Sequence, residues 1–450
     1  MARATLFEEH ASVLPFWWAQ GVRDATLICV DAHLDLQFIA PKRIARLRAC
    51  TTREDMQRLE SAHPLSPRRD GCFGIEDFLY AASQLAVLRQ LVWVAPPHVL
   101  AEMQGALAAL RQMEGVTQED LASFAQAEGG WIEGRLLGLR IAVVTFEQLA
   151  SVTLAAPVLV DIDADFFVQV PQDRVWMQPS QLVAALKQKV GPETDVTIAR
   201  SVGTGFLPLR HRFLADHLAA LWEGRVDDAA HWQQLLALET FGQPAPERVA
   251  SLREMLARRG GCAATAHALA HALGPTEEGR ALLAQAAALD ASYGPDLLRH
   301  LGAVHAHRQG LDLATVTRLH RRLETLRDTP ERMGAAWVGL GLLYVAFGRL
   351  PEAIACDERS LRQGGGHPDL ALQIGRLQMI EAGIPAAVPW FERAAADDET
   401  RVAAWLHLSV CASREGRQPE ARRWARATHE AAPAWPEARE WLRRLEGAAG

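Results

Sequence analysis

The stretch PVLVDIDADFF, residues 157–167, combines an apolar run with aspartates at alternating positions. The stretch TLICVDAHLD, residues 26–35, has the same form, with a histidine at the centre of its polar half. Apolar runs of this length are typical of strands that are buried on both faces of a parallel sheet. In such a sheet, the residues at the carboxyl ends of the strands line the ligand-binding crevice. We therefore predict an α/β fold in which both acidic stretches point into one cleft.

Further apolar runs extend this pattern through the first part of the chain. The predicted strands are 26–30, 91–95, 140–146, 157–162 and 195–199. Helix candidates lie between them, at about 76–90, 97–112, 117–128 and 179–190. Because strands and helices alternate, we expect a parallel sheet with helices packed on its faces.

The sequence changes character near residue 210, after which alanine, leucine and arginine recur at helical spacing. Small residues then repeat at a spacing of 34 residues, with Gly341, Gly375 and Ser409 in one register and Ala353, Ala387 and Ala421 in another. This period is typical of tetratricopeptide repeats, in which each repeat is a pair of helices. We therefore expect an all-α solenoid after the α/β domain.

The predicted domain organisation has three parts. The α/β domain spans 1–210, a helical linking region spans 211–258, and the repeat array spans 259–450. Less regular helix pairs, around 263–289 and 296–326, precede the clear repeats, so we expect about five stacked pairs. Such arrays usually bind peptides or proteins; the alternative is that this array only packs against the first domain or forms a homo-oligomer.

Composition limits the class of protein. The chain has 450 residues, of which 49% are hydrophobic and 22% charged, and a formal net charge of −7. It lacks the basic footprint of a nucleic-acid binder. No apolar stretch reaches the roughly 20 residues that a membrane-spanning helix needs, and the six cysteines have no CxxC spacing. We expect a soluble, cytoplasmic protein with reduced thiols and with no nucleic-acid or membrane partner.

The two acidic stretches direct a set of metal-competent side chains to the predicted cleft: Asp31, His33, Asp35, Asp161, Asp163 and Asp165. So many carboxylates cannot share a low-dielectric cleft unless cations neutralise them. Oxygen-rich ligands with one or two imidazoles suit Mn²⁺ better than they suit a structural zinc. The alternative for each stretch alone is a strand-end turn with solvated aspartates. His10 is a further metal candidate, whose alternative role is to cap a helix or to pack.

These residues resemble a known family. DAHLD and DIDAD are similar to the two aspartate-rich motifs of the arginase and agmatinase ureohydrolases. More closely, FEEH, ICVDAHLD, GIEDFLYAA, LVWVAPP, VLVDIDADFF and VTIARS together resemble the peptide arginases, which convert arginine side chains of ribosomally made precursor peptides to ornithine. The resemblance covers about residues 5–220 and implies a parallel α/β sheet that holds two Mn²⁺ ions. It does not extend to the repeats.

The resemblance also implies a ligand set for the two ions. Asp31 and Asp161 would bridge both ions, His10 and Asp35 would complete one site, and His33 and Asp163 would complete the other. The sequence departs from the arginase pattern in three places: Glu8-Glu9 replaces Gly-Gly, Phe166-Phe167 replaces Asp-Pro, and 196–205 lacks the carboxylate that arginases present to the guanidinium. From that last segment we consider Ser201 and Thr204, of which Ser201 is a substrate-binding candidate.

Catalytic and substrate-binding roles are predicted for four positions. Two metal ions can supply hydroxide near neutral pH, and Asp35 is expected to orient it. His63 is a candidate proton shuttle, and its alternative is a solvated loop residue. Glu76 and Asp77 are candidates for guanidinium recognition, because a carboxylate accepts paired bonds from that planar group. Their alternative is to stabilise the start of a helix.

The predicted function is hydrolysis of arginine side chains of a precursor peptide to ornithine, with release of urea. The expected cofactor is a pair of Mn²⁺ ions, and the expected partner is the precursor peptide, gripped by the repeats. Two alternatives stay open: a hydrolase of a small free guanidino compound such as agmatine, and a non-catalytic repeat scaffold.

Overall fold

An eight-stranded, mostly parallel sheet forms the centre of the first part of the chain. The computed structural model describes residues 2–61, 70–111, 113, 115–240, 245–306, 311–363, 369–433 and 435–447. Within these ranges the strands are β1 (Ala4–Phe7), β2 (Ala25–Val30), β3 (Leu88–Val94), β4 (Ala125–Gln126), β5 (Ile132–Leu136), β6 (Leu139–Val144), β7 (Val158–Asp163), β8 (Val168–Gln169), β9 (Arg174–Val175) and β10 (Val196–Ala199). The order in the sheet is β1-β10-β7-β2-β3-β6-β5-β4, and the pairs β4–β5 and β5–β6 are antiparallel. Strands β8 and β9 form a separate antiparallel pair.

The helices of the described ranges fall into two sets. Those between the strands are α1 (Val13–Ala19), α2 (Pro41–Arg48), α3 (Arg53–Arg58), α4 (Phe78–Gln84), α5 (Pro97–Glu102), α6 (Ala106–Leu110), α7 (Gln118–Ala122) and α8 (Pro179–Val190). Those after the last strand are α9 (Phe213–Glu223), α10 (Val226–Thr240), α11 (Ala245–Arg258), α12 (Ala263–Leu273), α13 (Glu277–Leu289), α14 (Leu297–Ala306), α15 (Leu313–Thr325), α16 (Pro330–Ala346), α17 (Leu350–Arg362), α18 (Leu370–Glu381), α19 (Ile384–Ala395), α20 (Arg401–Arg414), α21 (Gln418–Ala431) and α22 (Pro436–Gly447). Short 3₁₀ turns lie at His10–Ser12, Leu149–Ser151, Ala164–Phe167, Val170–Gln172, Leu209–His211 and Ala291–Tyr293.

Helices cover both faces of the sheet. Successive residues of a strand point to opposite faces, so in β2 Leu27 and Ile28 belong to different apolar clusters. The cluster on the Ile28 side is completed by α8 and α9, and the cluster on the Leu27 side by α1 and α4. Every residue of β2 is buried, as the continuous apolar runs predict.

The predicted α/β alternation is confirmed. Strands β2, β3, β6, β7 and β10 correspond to the five predicted runs, and α8 has the predicted bounds. Five strands, β1, β4, β5, β8 and β9, were not predicted. Strand β1 has only four residues, and it is recognisable by its parallel pairing with β10 rather than by its own sequence.

Three predicted helices are wrong in their extent. The helix predicted at 97–112 is divided because Gln104 and Gly105 have φ angles of 60° and 106°, and left-handed backbone ends an α-helix. The helix predicted at 117–128 ends at Ala122, since 125–126 pairs with β5. The helix predicted at 76–90 is shorter, because residues 88–90 belong to β3.

Helix pairs follow the sheet domain, as the 34-residue spacing predicts. Helices α16 and α17, α18 and α19, and α20 and α21 pack against each other. The small residues lie at these crossings: Ser409 Oγ donates to the carbonyl oxygen of Ala421 at 2.6 Å, and a Cβ added to Gly375 would lie 2.6 Å from the ring of Phe391. The small side chains therefore set how closely paired helices approach.

The first helices after the sheet share its apolar core. Phe213 of α9, Leu236 of α10 and Leu269 of α12 belong to the same buried cluster as Ile28 and Ile198 of the strands. The predicted boundaries at 210 and 258 stay predictions, but apolar packing continues across both positions. The repeat array therefore begins on a base that is fixed to the sheet domain.

The later repeats return to the sheet domain and contact it again. Glu399, which precedes α20, lies 3.5 Å from Lys42 and 3.6 Å from Arg46 of α2. The ring of Trp435 stacks on Phe38 with a centroid distance of 5.9 Å. Nearer the start of the array, a Cβ added to Gly302 would overlap the carbonyl of Thr204. The array thus contacts the sheet domain at both of its ends.

None of the described helices has the length and hydropathy that a membrane span requires.

The crossing at Gly375 generates a prediction about stability. Gly375→Ala should lower the free energy of unfolding by about 1–3 kcal/mol, because the added methyl group meets the buried Phe391 ring. Gly260→Ala is the control, since a Cβ there meets nothing within 4 Å. Thermal denaturation followed by circular dichroism measures both, and equal melting temperatures for the two variants would contradict the close crossing.

Candidate metal centre

Four neighbouring strands direct polar side chains to one edge of the sheet. Strands β1, β10, β7 and β2 lie side by side and run in parallel, so their carboxyl ends coincide. The residues at or just beyond these ends are His10 after β1, Ser201 after β10, Asp161, Asp163 and Asp165 from β7, and Asp31, His33 and Asp35 after β2. The two acidic stretches therefore meet, as the sheet position of their apolar runs predicts.

His10 lies at the centre of this cluster and is fully buried. Its Nε2 atom is 2.6 Å from Asp161 Oδ2. Its Nδ1 atom is 3.0 Å from Asp35 Oδ2, 3.1 Å from Asp31 Oδ2 and 3.3 Å from Asp163 Oδ2. One imidazole thus contacts four carboxylates that arrive from two different strands.

His33 contacts a second group of carboxylates, beside the group around His10. Its Nδ1 atom is 2.9 Å from Asp165 Oδ2 and 3.7 Å from Asp31 Oδ1. Its side chain is 40% exposed, and its ring lies 4.7 Å from that of Phe206. Asp165 was noted in the acidic stretch but was not predicted as a ligand, although its alternating position after Asp161 and Asp163 is the signal for it.

Ligand-competent atoms cluster in three overlapping groups, each within 4.8 Å: His10 with Asp31 and Asp35, Asp31 with His33 and Asp165, and His10 with Cys29 and Asp161. The first two groups share Asp31, so this carboxylate can serve two ions. Burial, together with the charge of Asp31, raises the pKa of the Cys29 thiol well above its usual value. A neutral thiol is a poor ligand, which leaves an oxygen-rich set with two imidazoles.

The electrostatics of the cluster indicate an excess of negative charge. Burial and the charge of Asp31 raise the pKa of Asp35 to about 7, and burial with the charge of Asp165 raises the pKa of Asp163 well above its usual value. Burial opposes ionisation of Asp31 as well, but the adjacent charge of His10 lowers its pKa below the usual range. Two imidazoles do not neutralise five carboxylates, four of which are buried.

A buried oxygen of Asp31 that lacks a hydrogen-bond partner supports the same conclusion. Asp31 Oδ2 is buried; His10 Nδ1 lies 3.1 Å away but outside hydrogen-bonding geometry, so within the described residues this oxygen has no hydrogen-bond partner. Leaving a buried carboxylate oxygen without a partner costs free energy. Divalent cations would supply both the missing ligand contact and the missing charge, and carboxylate oxygens with imidazole nitrogens suit Mn²⁺. The residues present therefore fit a pair of such ions.

Further side chains hold the carboxylates in place. Thr197 Oγ1 donates to Asp161 Oδ1 from the neighbouring strand β10. Ser201 Oγ donates to Asp163 Oδ2 at 2.5 Å. Trp93 Nε1 donates to the carbonyl oxygen of Asp31 at 3.0 Å. The structure thus places Ser201, predicted to bind substrate, against a candidate ligand.

A cavity of about 660 Å³ opens beside His33 and Asp35. Its lining from the sheet domain includes Glu76, Trp93 and Phe206. Its lining from the helical array consists of Gly302, Leu342, Asp369 and Gln373. The candidate metal centre therefore opens toward the repeats.

The two predicted guanidinium ligands occupy different environments. Glu76 lines the cavity, whereas Asp77 Oδ1 accepts the backbone N–H of Gly74 at 2.7 Å. Burial raises the pKa of Asp77 to about 8, against the lowering effect of that hydrogen bond. Asp77 is thus engaged by the turn that precedes α4, and Glu76 is left as the candidate for substrate. His63 lies outside the described residues.

Comparisons with known proteins assign no activity. No protein-family model and no curated protein matches this chain. A solved structure titled for PilF of Pseudomonas aeruginosa is 18% identical, with coverage of 52% of this chain and 97% of that chain and a TM-score of 0.27. Another, of the APC/C hetero-tetramer Cut9-Hcn1, is 12% identical, with coverage of 59% and 56% and a TM-score of 0.28, so the chain spans little more than half of that protein. At TM-scores this low, neither similarity defines a ligand or a reaction.

The shared carboxylate generates a prediction about metal content. Purified protein should bind about two Mn²⁺ per chain and should melt at a higher temperature with Mn²⁺, because ligands of the folded state stabilise it. Asp31→Asn should lose most of both effects, since Asp31 belongs to two of the candidate groups. His33→Ala should lose about half of the metal.

Elemental analysis and thermal melting measure these effects, with the exposed Asp24→Asn as the control. Full metal retention in Asp31→Asn would show that this carboxylate is not a ligand.

Metal affinity should also depend on pH. Histidine binds metal only when neutral, and the charges of Asp161 and Asp163 raise the pKa of His10 well above its usual value despite the opposing effect of burial. Protons therefore compete with Mn²⁺, and the affinity measured by titration calorimetry should be lower at about pH 6 than at about pH 8, on either side of the ordinary histidine pKa. Equal affinities would argue against histidine ligation.

Proposed function

We propose that this protein is a binuclear manganese hydrolase that converts arginine side chains of a precursor peptide to ornithine and releases urea. The observation that supports the proposal is the cavity between the carboxylate–imidazole cluster and the repeats. The candidate metal ligands His33 and Asp35 belong to what we call the floor of this cavity, and the residues of the helical repeats form its wall. Repeat arrays of this kind commonly bind peptides.

The lining of the cavity suits a cationic side chain with an apolar stem. Asp35 and Glu76 supply carboxylates, and a carboxylate binds a guanidinium through paired, charge-assisted hydrogen bonds. Trp93, Met113 and Phe206 supply apolar surface on which the methylene groups of an arginine side chain can pack. Charge and apolar surface occur together at this site.

The proposed metal ligands are His10, Asp31, His33, Asp35, Asp161, Asp163 and Asp165. When bound, a pair of Mn²⁺ ions would supply a deprotonated water near neutral pH. Asp35 would orient the attacking water by accepting its hydrogen bond, and Glu76 would hold the guanidinium. Attack on the guanidinium carbon breaks its bond to Nε; the released amine takes a proton and becomes the ornithine side chain, and the carbon leaves as urea.

Hydrolysis of a small free guanidino compound such as agmatine is the second candidate. It is favoured by Glu76 and Asp35, which both line the cavity and could hold a guanidinium without any peptide contact. A non-catalytic scaffold is less well supported, because a scaffold has no need for five carboxylates around two histidines.

A substrate panel tests the proposal. Mn²⁺-loaded protein should release urea from an arginine-containing peptide with a higher kcat/KM than from agmatine or free arginine, because the repeat wall offers contacts to the main chain. Urea production measures this, and Asp161→Ala should abolish it. A preference for agmatine would favour the second candidate, and a lack of urea from all three compounds would leave the scaffold.

Glu76 provides a sharper test of the substrate side. Glu76→Gln should lower kcat/KM for an arginine peptide by about 10- to 100-fold, the effect of losing a charge-assisted hydrogen bond, while the metal content stays unchanged. Glu54→Gln is the matched control, since Glu54 is exposed on α3 and lies apart from the cavity lining. An unaltered kcat/KM in Glu76→Gln would exclude Glu76 from guanidinium binding.

A further inference from the structure

Gln373 of α18 lines the cavity, and its side chain is hydrogen-bonded to a buried aspartate. Its Nε2 atom donates to Asp357 Oδ2 of α17 at 2.9 Å. Asp357 is fully buried, and its other oxygen, Oδ1, has no hydrogen-bond partner in the described part of the chain. A single neutral amide is thus the polar partner that the structure gives to a carboxylate inside the repeat array.

This arrangement is costly for a helix pair that only needs to pack. Burying a carboxylate with one neutral partner is expensive, and an apolar side chain of similar size would stabilise the crossing more. The facing position on α16 is a glycine, and a side chain there would crowd the carboxylate: a Cβ added to Gly341 would lie 2.9 Å from Asp357 Oδ1. Packing alone therefore does not account for Asp357.

The carboxylate determines how the amide of Gln373 is presented. An ionised carboxylate only accepts hydrogen bonds, so it takes an N–H of Gln373 and not the carbonyl oxygen. The amide keeps its carbonyl oxygen and its second N–H for other partners. One acceptor beside one donor is the complement of a peptide group, which presents one N–H and one carbonyl.

We propose that Gln373 binds the main chain of the peptide substrate and that Asp357 is a positioning residue that fixes the orientation of the Gln373 amide. The inference rests on the proposed function. Glu76 and Asp35 carry the charge that attracts a guanidinium, whereas the neutral amide of Gln373 suits a neutral peptide group. The repeats would then select a peptide over a free guanidino compound.

The experiment compares two substrates on the Mn²⁺-loaded full chain. An acetylated, amidated tripeptide, Gly-Arg-Gly, contains the arginine side chain with its peptide groups, and agmatine contains it without them. Gln373→Met keeps the length of the side chain and removes both hydrogen-bonding groups. We expect KM for the tripeptide to rise about 5- to 100-fold, the effect of losing two ordinary hydrogen bonds, with kcat and the KM for agmatine unchanged.

Two further variants separate recognition from a structural effect. Gln378→Met is the matched control, because Gln378 lies on the same helix and does not line the cavity. Gln373→Asn keeps an amide but withdraws it by one methylene group, and it should raise the tripeptide KM in the same direction. Equal effects on the tripeptide and agmatine would show a general distortion of the wall and would overturn the inference.

The positioning role of Asp357 requires a double-mutant comparison. Asp357→Asn keeps the volume but no longer fixes which end of the Gln373 amide is bound. The tripeptide KM should rise as in Gln373→Met, and the double variant should show no further rise, because both changes remove the same contact. Assays run at about pH 8, since burial raises the pKa of Asp357 to about 7 against the lowering effect of the Gln373 hydrogen bond. Additive effects would overturn the positioning role.

Failure of the proposed function gives a different result. If the wild-type protein releases no urea from either compound, hydrolysis is disproved, and titration calorimetry then measures both dissociation constants on the same protein. A tripeptide affinity that falls in Gln373→Met while agmatine affinity holds would support the inference as a binding role. Unchanged ratios of the two affinities, or no binding of the tripeptide, would overturn it.

Discussion

Five carboxylates repel one another at one edge of the sheet, and four of them are buried. Asp31, Asp35, Asp161, Asp163 and Asp165 converge there because β2 and β7 are neighbours and end at the same level. The imidazole of His10 arrives from beyond the edge strand β1 and contacts four of them. It relieves only part of the repulsion. The cluster therefore makes chemical sense as a set of ligands for cations, and the strand order serves to assemble it.

If the cluster is catalytic as proposed, it also needs a cover, because expelling water strengthens the electrostatic interactions of a site. The helical array supplies one. Its first helices share an apolar core with the sheet, and its far end contacts α2 through Glu399 and Phe38 through Trp435. An array that is held at both ends can keep α18 at a fixed distance from the floor, which a freely hinged array cannot do.

Local sequence patterns identified the strands and helices that form because of the residues within them. Buried apolar runs located five strands, and the 34-residue spacing of small residues located the helix pairs. The same patterns missed β1, whose four residues form a strand because β10 lies beside them. Nor does a pattern distinguish Glu76, which lines the cavity, from Asp77, which is held by Gly74. No sequence pattern pointed to Gln373 or Asp357, because their proposed role depends on the contact between the repeats and the sheet domain.

The division between floor and wall follows from the chemistry of the proposed substrate. A free guanidino compound and an arginine in a peptide present the same carbon to the same carboxylates, so the floor alone cannot tell them apart. Specificity is a difference between affinities, and here it must come from groups that contact the main chain. Among the described residues that the repeats contribute to the lining, Gln373 offers a neutral donor and acceptor together, and Asp357 fixes their orientation. Under the proposed function, the sheet edge would determine which bond is broken, and the repeats would determine which molecules reach it.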